Sequence, residues 1–246
     1  MIIGVNREYK EDLISLWHNV FGDDREYIEL LFPEKGNICN IFAILENDTV
    51  CSVLYLLDCT VDIDNNEFEG KYLYAAATDK KYRKRGFMAL LIEEAQKYCK
   101  DNGFDFISLV PANEQLYSYY GKFGFESKMC RYKETKQITL CDATEISGEK
   151  YFAERKKRLK NTFNFSGDSV DYAVSCLKYS GLRFYKSSED IIYLSDGDIK
   201  DSEEILKADA SFHPSDAEKY GMIYPINCKL KALLKDNTVY MNIALD

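Results

Sequence analysis

The sequence predicts an α/β fold of the α+β kind, a mixed central sheet flanked by helices, on three observations. Short apolar runs up to Thr78 alternate with turn clusters, which describes an antiparallel meander. The clearest amphipathic helix pattern follows, over Phe87–Asn102. A buried strand-like run comes directly after it, and a strand–helix–strand unit implies parallel pairing through a right-handed crossover.

Met1–Val5 reads as a short opening strand. From Glu8 to Phe21, apolar residues fall at Leu13, Ile14, Trp17, Val20 and Phe21, one face of a helix, and Gly22 suits its stop. Asp23 and Asp24 suit the start of a second short helix holding Tyr27, Leu30 and Leu31. Ile41–Leu45 and Val50–Val61 read as strands around the turn cluster Glu46, Asn47 and Asp48. A turn over Asp62–Asn66 leads to a third strand, Lys71–Thr78. In the long helix Met88, Leu91, Ile92, Ala95 and Cys99 share one face, and Gly103 suits its end. Phe104–Val110 is then a strand, Glu114–Lys122 a helix and Phe125–Lys133 a strand. A soft boundary is expected near 136–147, dividing a first domain, 1–135, from a C-terminal α/β region, 136–246. Within that region Gly148–Leu159, Ser169–Tyr179 and Ser202–Ala208 read as helices, Leu182–Lys186 and Ile191–Leu194 as a hairpin, and Val239–Leu245 as a last strand.

The gross numbers narrow the function classes. A length of 246 residues with 46% hydrophobic content supports an ordinary packed core. A balance of 32 basic against 41 acidic residues, net charge -9, disfavours nonspecific nucleic-acid binding and leans towards cationic partners. The N-terminus lacks the pattern of an export signal, and no apolar run approaches the ~20 residues of a membrane span. Eight scattered cysteines without a Cys-x-x-Cys pair then read as reduced thiols of a cytoplasmic protein. His18 and His213 have no further ligands at zinc spacing, so no metal is expected.

The main chemical signal is the segment Ala76-Ala77-Thr78-Asp79-Lys80-Lys81-Tyr82-Arg83-Lys84-Arg85-Gly86-Phe87-Met88-Ala89. A strand feeds a basic turn that opens directly into the best helix. The first helical turn carries unpaired N–H groups and a partial positive charge, which suits a pyrophosphate. Gly86 permits close backbone approach, and Arg83, Lys84 and Arg85 add positive potential. This loop resembles the Gln/Arg-x-x-Gly-x-Gly/Ala signature of the GNAT acyltransferases, with Arg83 and Gly86 on the matching positions and Met88 departing from the small residue. A variant without that small residue occurs in the enhanced-intracellular-survival acetyltransferases of the same superfamily.

A second segment strengthens the resemblance. Asn113-Glu114-Gln115-Leu116-Tyr117-Ser118-Tyr119-Tyr120-Gly121-Lys122-Phe123-Gly124-Phe125 is similar to the GNAT pattern Asn-x-x-Ala-x-x-x-Tyr-x-x-x-Gly-Phe, with Leu116 departing from a small residue. The resemblance covers residues 1 to about 135 and implies a GNAT-like mixed sheet. It implies acetyl-CoA as co-substrate, held by Ala76, Ala77, Thr78, Arg83, Lys84, Arg85, Gly86, Phe87, Met88, Ala89 and Asn113. It implies Tyr120 as the acid that protonates the departing thiolate. On the residues alone, Asn113 also suits a helix N-cap, and Trp17 and His18 read as packing residues. The region 136–246 is either a substrate-side extension or a degenerate second GNAT-like half.

The expected function is acetyl transfer to a primary amine on a small molecule or peptide. The alternative is a non-catalytic acyl-CoA-binding sensor or scaffold. Asp79, Glu46, Asp58 and Glu126 are candidate bases by location or chemistry. In the enhanced-intracellular-survival group the chain's terminal carboxylate is the base, which implies Asp246 as a further candidate. Neither the acceptor nor the oligomeric state is legible here.

Overall fold

Hairpin turns fold as their residues require. Asn47 and Asp48 have φ of 49° and 59°, and Asp64 and Asn65 have φ of 48° and 59°. Positive φ at both central residues is the two-residue turn that matches strand twist, and Asn and Asp tolerate it. The computed structural model describes residues 2–4, 9–34, 38–132, 143–196, 202–207 and 217–245.

The first part contains β1 (Ile2–Gly4), α1 (Lys10–Phe21), α2 (Arg25–Glu29), β2 (Cys39–Glu46), β3 (Thr49–Ile63) and β4 (Asn66–Thr78). After a single 3-10 turn at Lys80–Tyr82 come α3 (Phe87–Asp101), β5 (Phe106–Leu109), α4 (Glu114–Gly121) and β6 (Glu126–Tyr132). The second part contains β7 (Thr144–Glu145), α5 (Gly148–Arg158), β8 (Thr162–Phe165), α6 (Asp168–Tyr179), β9 (Arg183–Lys186), β10 (Ile192–Ser195) and β11 (Glu204–Leu206). It ends with β12 (Ala217–Pro225), α7 (Cys228–Leu233) and β13 (Val239–Tyr240).

The mixed α/β fold expected from the sequence is the one observed. Among the described residues, nine strands form one sheet in the order β1-β2-β3-β4-β5-β12-β6-β13-β8. β12 runs antiparallel between β5 and β6, so strands from both sides of residue 136 share the sheet. β3 pairs with β2 up to Leu57 and then, along the same edge, with β8 from Cys59 to Asp62. The pairings therefore close a circuit from β3 through β4, β5, β12, β6, β13 and β8 back to β3. A second sheet runs β11-β10-β9-β7.

Alternation along β3 explains the layers. Val53, Tyr55 and Leu57 face a core shared with Leu13 and Trp17 of α1, while Leu54 and Leu56 face one shared with Leu91, Ile92 and Ala95 of α3. Each fully buried Leu or Ile contributes roughly 1.5–3 kcal/mol. Gly70 has to be glycine, since a Cβ there would stand 2.5 Å from the Phe106 ring.

Some expectations differ from the structure. Ser202–Ala208 contains no helix among its described residues; Glu204–Leu206 is a strand, drawn into the second sheet by pairing with β10. The last strand stops at Tyr240, short of the expected Leu245. β8, β12 and α7 had no counterpart in the sequence reading. Residues 133–142, which hold most of the expected boundary, lie outside the described residues, as do His213 and Asp246. Seven cysteines are free thiols, and among the described residues no helix is long and apolar enough to cross a membrane.

Candidate functional site

β4 and β5 pair only from Gly70–Tyr72 opposite Phe106–Ser108. Beyond Tyr72 the strands part. The register of β4 on β3 also slips there, from Tyr74 opposite Tyr55 to Ala77 opposite Val53, so Ala75 and Ala76 together oppose Leu54. Ala75 takes φ of 44°, left-handed for a non-glycine residue. Such a bulge turns backbone groups out of the ladder and holds roughly 1–3 kcal/mol of strain.

The gap between the parted strands is a cleft of about 530 Å³. Tyr72–Ala76 of β4 form one wall, and the segment from Leu109 to Ala112 after β5 forms another. Trp17 and Phe21 of α1 and the neighbouring Asp23 contribute, as do Tyr117 and Tyr120 of α4. Leu116 of α4, Arg131 of β6, Lys219 and Tyr220 of β12 and Leu245 complete the lining.

At the end of β4, Asp79 accepts a hydrogen bond from the Lys81 N–H at 2.8 Å and so fixes the 3-10 turn. Arg83 Nε–H donates to the Thr78 carbonyl at 3.1 Å. Lys84 and Gly86 take φ of 63° and 81°, and Gly86 caps α3. A Cβ placed on Gly86 would meet nothing within 4 Å, so the approach to the helix start is open. The first helical bond runs from the Leu90 N–H to the Gly86 carbonyl at 3.1 Å. The N–H groups of Phe87, Met88 and Ala89 therefore precede the helical ladder. The loop cations differ in their commitments. Arg85 forks onto both oxygens of Glu46 and lies over the Phe87 ring, 4.6 Å from its centroid. Met88, the departure from the family pattern, packs against the core formed by α3.

Tyr120 is 7% exposed and packs edge-on against Tyr119 and Phe125. Burial, aided by the neighbouring Tyr119, pushes its phenol up to about 12. Asn113 caps α4, its Oδ1 accepting from the N–H of Gln115 at 3.1 Å and of Leu116 at 3.3 Å. Its Nδ2 makes no hydrogen bond among the described residues. Ala76 and Tyr120 thus line the cleft, whereas Ala77, Thr78, Arg83–Ala89 and Asn113 flank it along the chain.

None of the four candidate bases lines the cleft. Glu46 holds Arg85, Asp58 holds the buried Lys71, Asp79 holds its turn, and Glu126 is exposed at the start of β6. Among the described lining residues Asp23 is the one carboxylate, and its Oδ2 accepts the Trp17 indole N–H at 2.7 Å. Sequence reasoning missed Arg131, Lys219 and Tyr220. The last two sit on a strand with no motif, brought beside β5 and β6 from the far end of the chain.

A family model described as an acetyltransferase (GNAT) domain matches residues 2–127. Solved structures share the fold at low identity. A GCN5-related N-acetyltransferase from Anabaena variabilis superposes with a TM-score of 0.65 at 14% identity, covering 91% of this chain and 72% of that one. A conserved protein of unknown function from Enterococcus faecalis, described as a probable N-acyltransferase, gives 0.64 at 13% identity with the same coverage. Eis1 from Mycobacterium abscessus gives 0.58 at 10% identity, with 79% of this chain on 53% of that one. No curated protein matches the sequence.

Proposed function

Because the chain belongs to the GNAT acetyltransferase family, we propose that it is an N-acetyltransferase moving the acetyl group of acetyl-CoA to a primary amine. The observation that carries this reading is the cleft between β4 and β5, with Ala75 and Ala76 on one wall and the buried Tyr120 on another. The residues fit the coenzyme. The open approach at Gly86 and the N–H groups of Phe87, Met88 and Ala89 suit its pyrophosphate. Arg83 and Arg85 shape that loop, and Lys84 adds charge to it. Asn113 Nδ2 suits the pantetheine arm, which would run past Ala76, Ala77 and Thr78.

Bound acetyl-CoA supplies a thioester. The small side chains of Ala75 and Ala76 leave the β4 backbone accessible, and a backbone N–H from Ala76–Thr78 polarises the carbonyl. The neutral amine attacks the carbonyl carbon and the carbon–sulfur bond breaks. The Tyr120 hydroxyl gives its proton to the departing sulfur, the nitrogen loses its extra proton to solvent in the cleft, and solvent returns a proton to Tyr120. With its phenol held up near 12, Tyr120 keeps that proton at neutral pH.

A second reading, an acyl-CoA-binding sensor without turnover, draws support from one observation: Glu46, Asp58, Asp79 and Glu126 all lie off the cleft. Titration calorimetry with acetyl-CoA tests the shared premise. The wild type is expected to bind, and Gly86→Glu to lose binding, because a carboxylate then meets the phosphates and φ of 81° strains the backbone. A folded wild type that binds no coenzyme removes both readings. Binding without acetylation of any amine in a broad panel selects the sensor.

A further inference from the structure

The net charge of the whole chain leans towards cationic acceptors, yet the cleft is charged the other way on one side. Arg131 of β6 and Lys219 of β12 both line it. They stand on adjacent strands, where Lys219 is the Cα partner of Cys130 and Glu218 that of Arg131. Their own carboxylate partners are Glu218, at 3.2 Å from Arg131, and Glu114, at 2.9 Å from Lys219. Neither of those carboxylates lines the cleft, and their side chains are 49% and 83% exposed. Exposed pairs of this kind hold weakly, so an incoming anion can displace them.

Aromatic faces steady both cations. Lys219 Nζ sits 3.4 Å from the Tyr117 ring centroid, and the Arg131 guanidinium 4.8 Å from that of Tyr220. The Tyr117 hydroxyl donates to the Tyr220 carbonyl at 2.6 Å, which ties α4 to β12 beneath the pair. None of the basic loop residues from Lys80 to Arg85 lines this cleft, so the two cations stand apart from the loop proposed for the coenzyme phosphates. Among the described residues a single carboxylate, Asp23, also lines the cleft. Asp23 is held by Trp17, which packs against Tyr74 of β4. The described lining therefore has one carboxylate, just after α1 whose Trp17 packs on β4, and two cations at β6 and β12.

We infer that the acceptor is an amine that also carries a carboxylate, an amino acid or the end of a peptide chain, with the carboxylate on Arg131 and Lys219. This rests on the proposed acetyl transfer and names its substrate class. The amine then lies towards β4, where the thioester carbonyl is expected, and the cations fix the molecule's direction.

Steady-state kinetics at saturating acetyl-CoA test it, with α- and ω-amino acids, their amides and a plain diamine as acceptors. The free acids are expected to exceed their amides in kcat/KM by at least about tenfold, a ratio that corresponds to 1.4 kcal/mol. Arg131→Gln and Lys219→Gln should each shrink that ratio, mainly through KM, and Lys219→Glu should shift preference towards the diamine. Coenzyme affinity by calorimetry and far-ultraviolet circular dichroism show that each variant is folded. Equal rates for acids and amides in the wild type overturn the inference and leave acetyl transfer standing. So does a ratio that neither glutamine variant moves. A wild type that binds no acetyl-CoA overturns both, and that titration needs no acceptor.

Discussion

Tyr120 differs from a surface tyrosine in its surroundings rather than its chemistry. An ordinary phenol near 10 would begin to ionise at alkaline pH, but burial keeps this one protonated up to about 12. The sign matters for activity. A raised value means the acid form is present throughout the neutral range and is lost only as pH rises through the folded value. The alkaline side of the kcat/KM profile should therefore rise as the amine deprotonates and show no loss of the acid below about pH 10. Tyr120→Phe removes the proton but keeps the ring against Tyr119 and Phe125. Its expected cost is roughly 10²–10⁴ in kcat, with coenzyme affinity nearly unchanged. A wild-type descending limb near pH 8 that disappears in the phenylalanine variant would contradict the raised phenol, and full activity in the variant would remove Tyr120 as the acid.

At the level of elements, one buried ionic network ties β11 of the second sheet to β8 and β13 of the nine-stranded sheet. Glu204 of β11 is 2% exposed and Arg155 of α5 is 1% exposed. Arg155 Nε–H donates to Glu204 at 3.0 Å, and its Nη1 donates to the Phe163 carbonyl at 2.8 Å and to Asn164 Oδ1 at 3.0 Å. The hydroxyls of Tyr151 and Tyr240 donate to the same carboxylate at 2.7 and 2.9 Å. Removing one partner strands a buried charge. Glu204→Leu should cost about 3–5 kcal/mol in urea denaturation, and adding Arg155→Met should recover much of it. A single-variant cost under about 1 kcal/mol would mean that water reaches Arg155. The same network explains why a helix is expected where β11 forms. Glu203-Glu204-Ile205-Leu206 looks like the polar and apolar faces of a helix, because nothing nearby signals that Glu204 is buried. Its partner lies 49 residues away. The elements that were legible depend on local signals. α3 has its own apolar face and glycine at both ends, the hairpins have Asn and Asp at positive φ, and the basic loop joins strand to helix within one short segment. β12 depends on partners more than eighty residues earlier, so its Lys219 and Tyr220 at the cleft have no local signature.

The whole molecule divides its proposed site unequally. The coenzyme loop, the Ala75 bulge and Tyr120 come from the region matched by the family model, residues 2–127. Arg131, Lys219, Tyr220 and Leu245 of the cleft come from beyond it. β12 does more than supply side chains, for it fills the space between β5 and β6 and pairs with both. It passes at close quarters: a Cβ on Gly221 would stand 3.1 Å from the Leu109 carbonyl oxygen and 3.2 Å from Met129 Cβ. Without β12, the facing edges of β5 and β6 would lose their partner and expose unpaired N–H and carbonyl groups. Ile223, fully buried, would leave the core at the same time. A fragment of residues 1–135 is therefore expected to aggregate or to unfold without a cooperative transition, although it carries the entire family match. The full chain should show a cooperative thermal transition that acetyl-CoA raises. A fragment that melts cooperatively and binds acetyl-CoA as tightly as the full chain would show that β12 serves the acceptor side alone, and that the first part completes its own sheet without it.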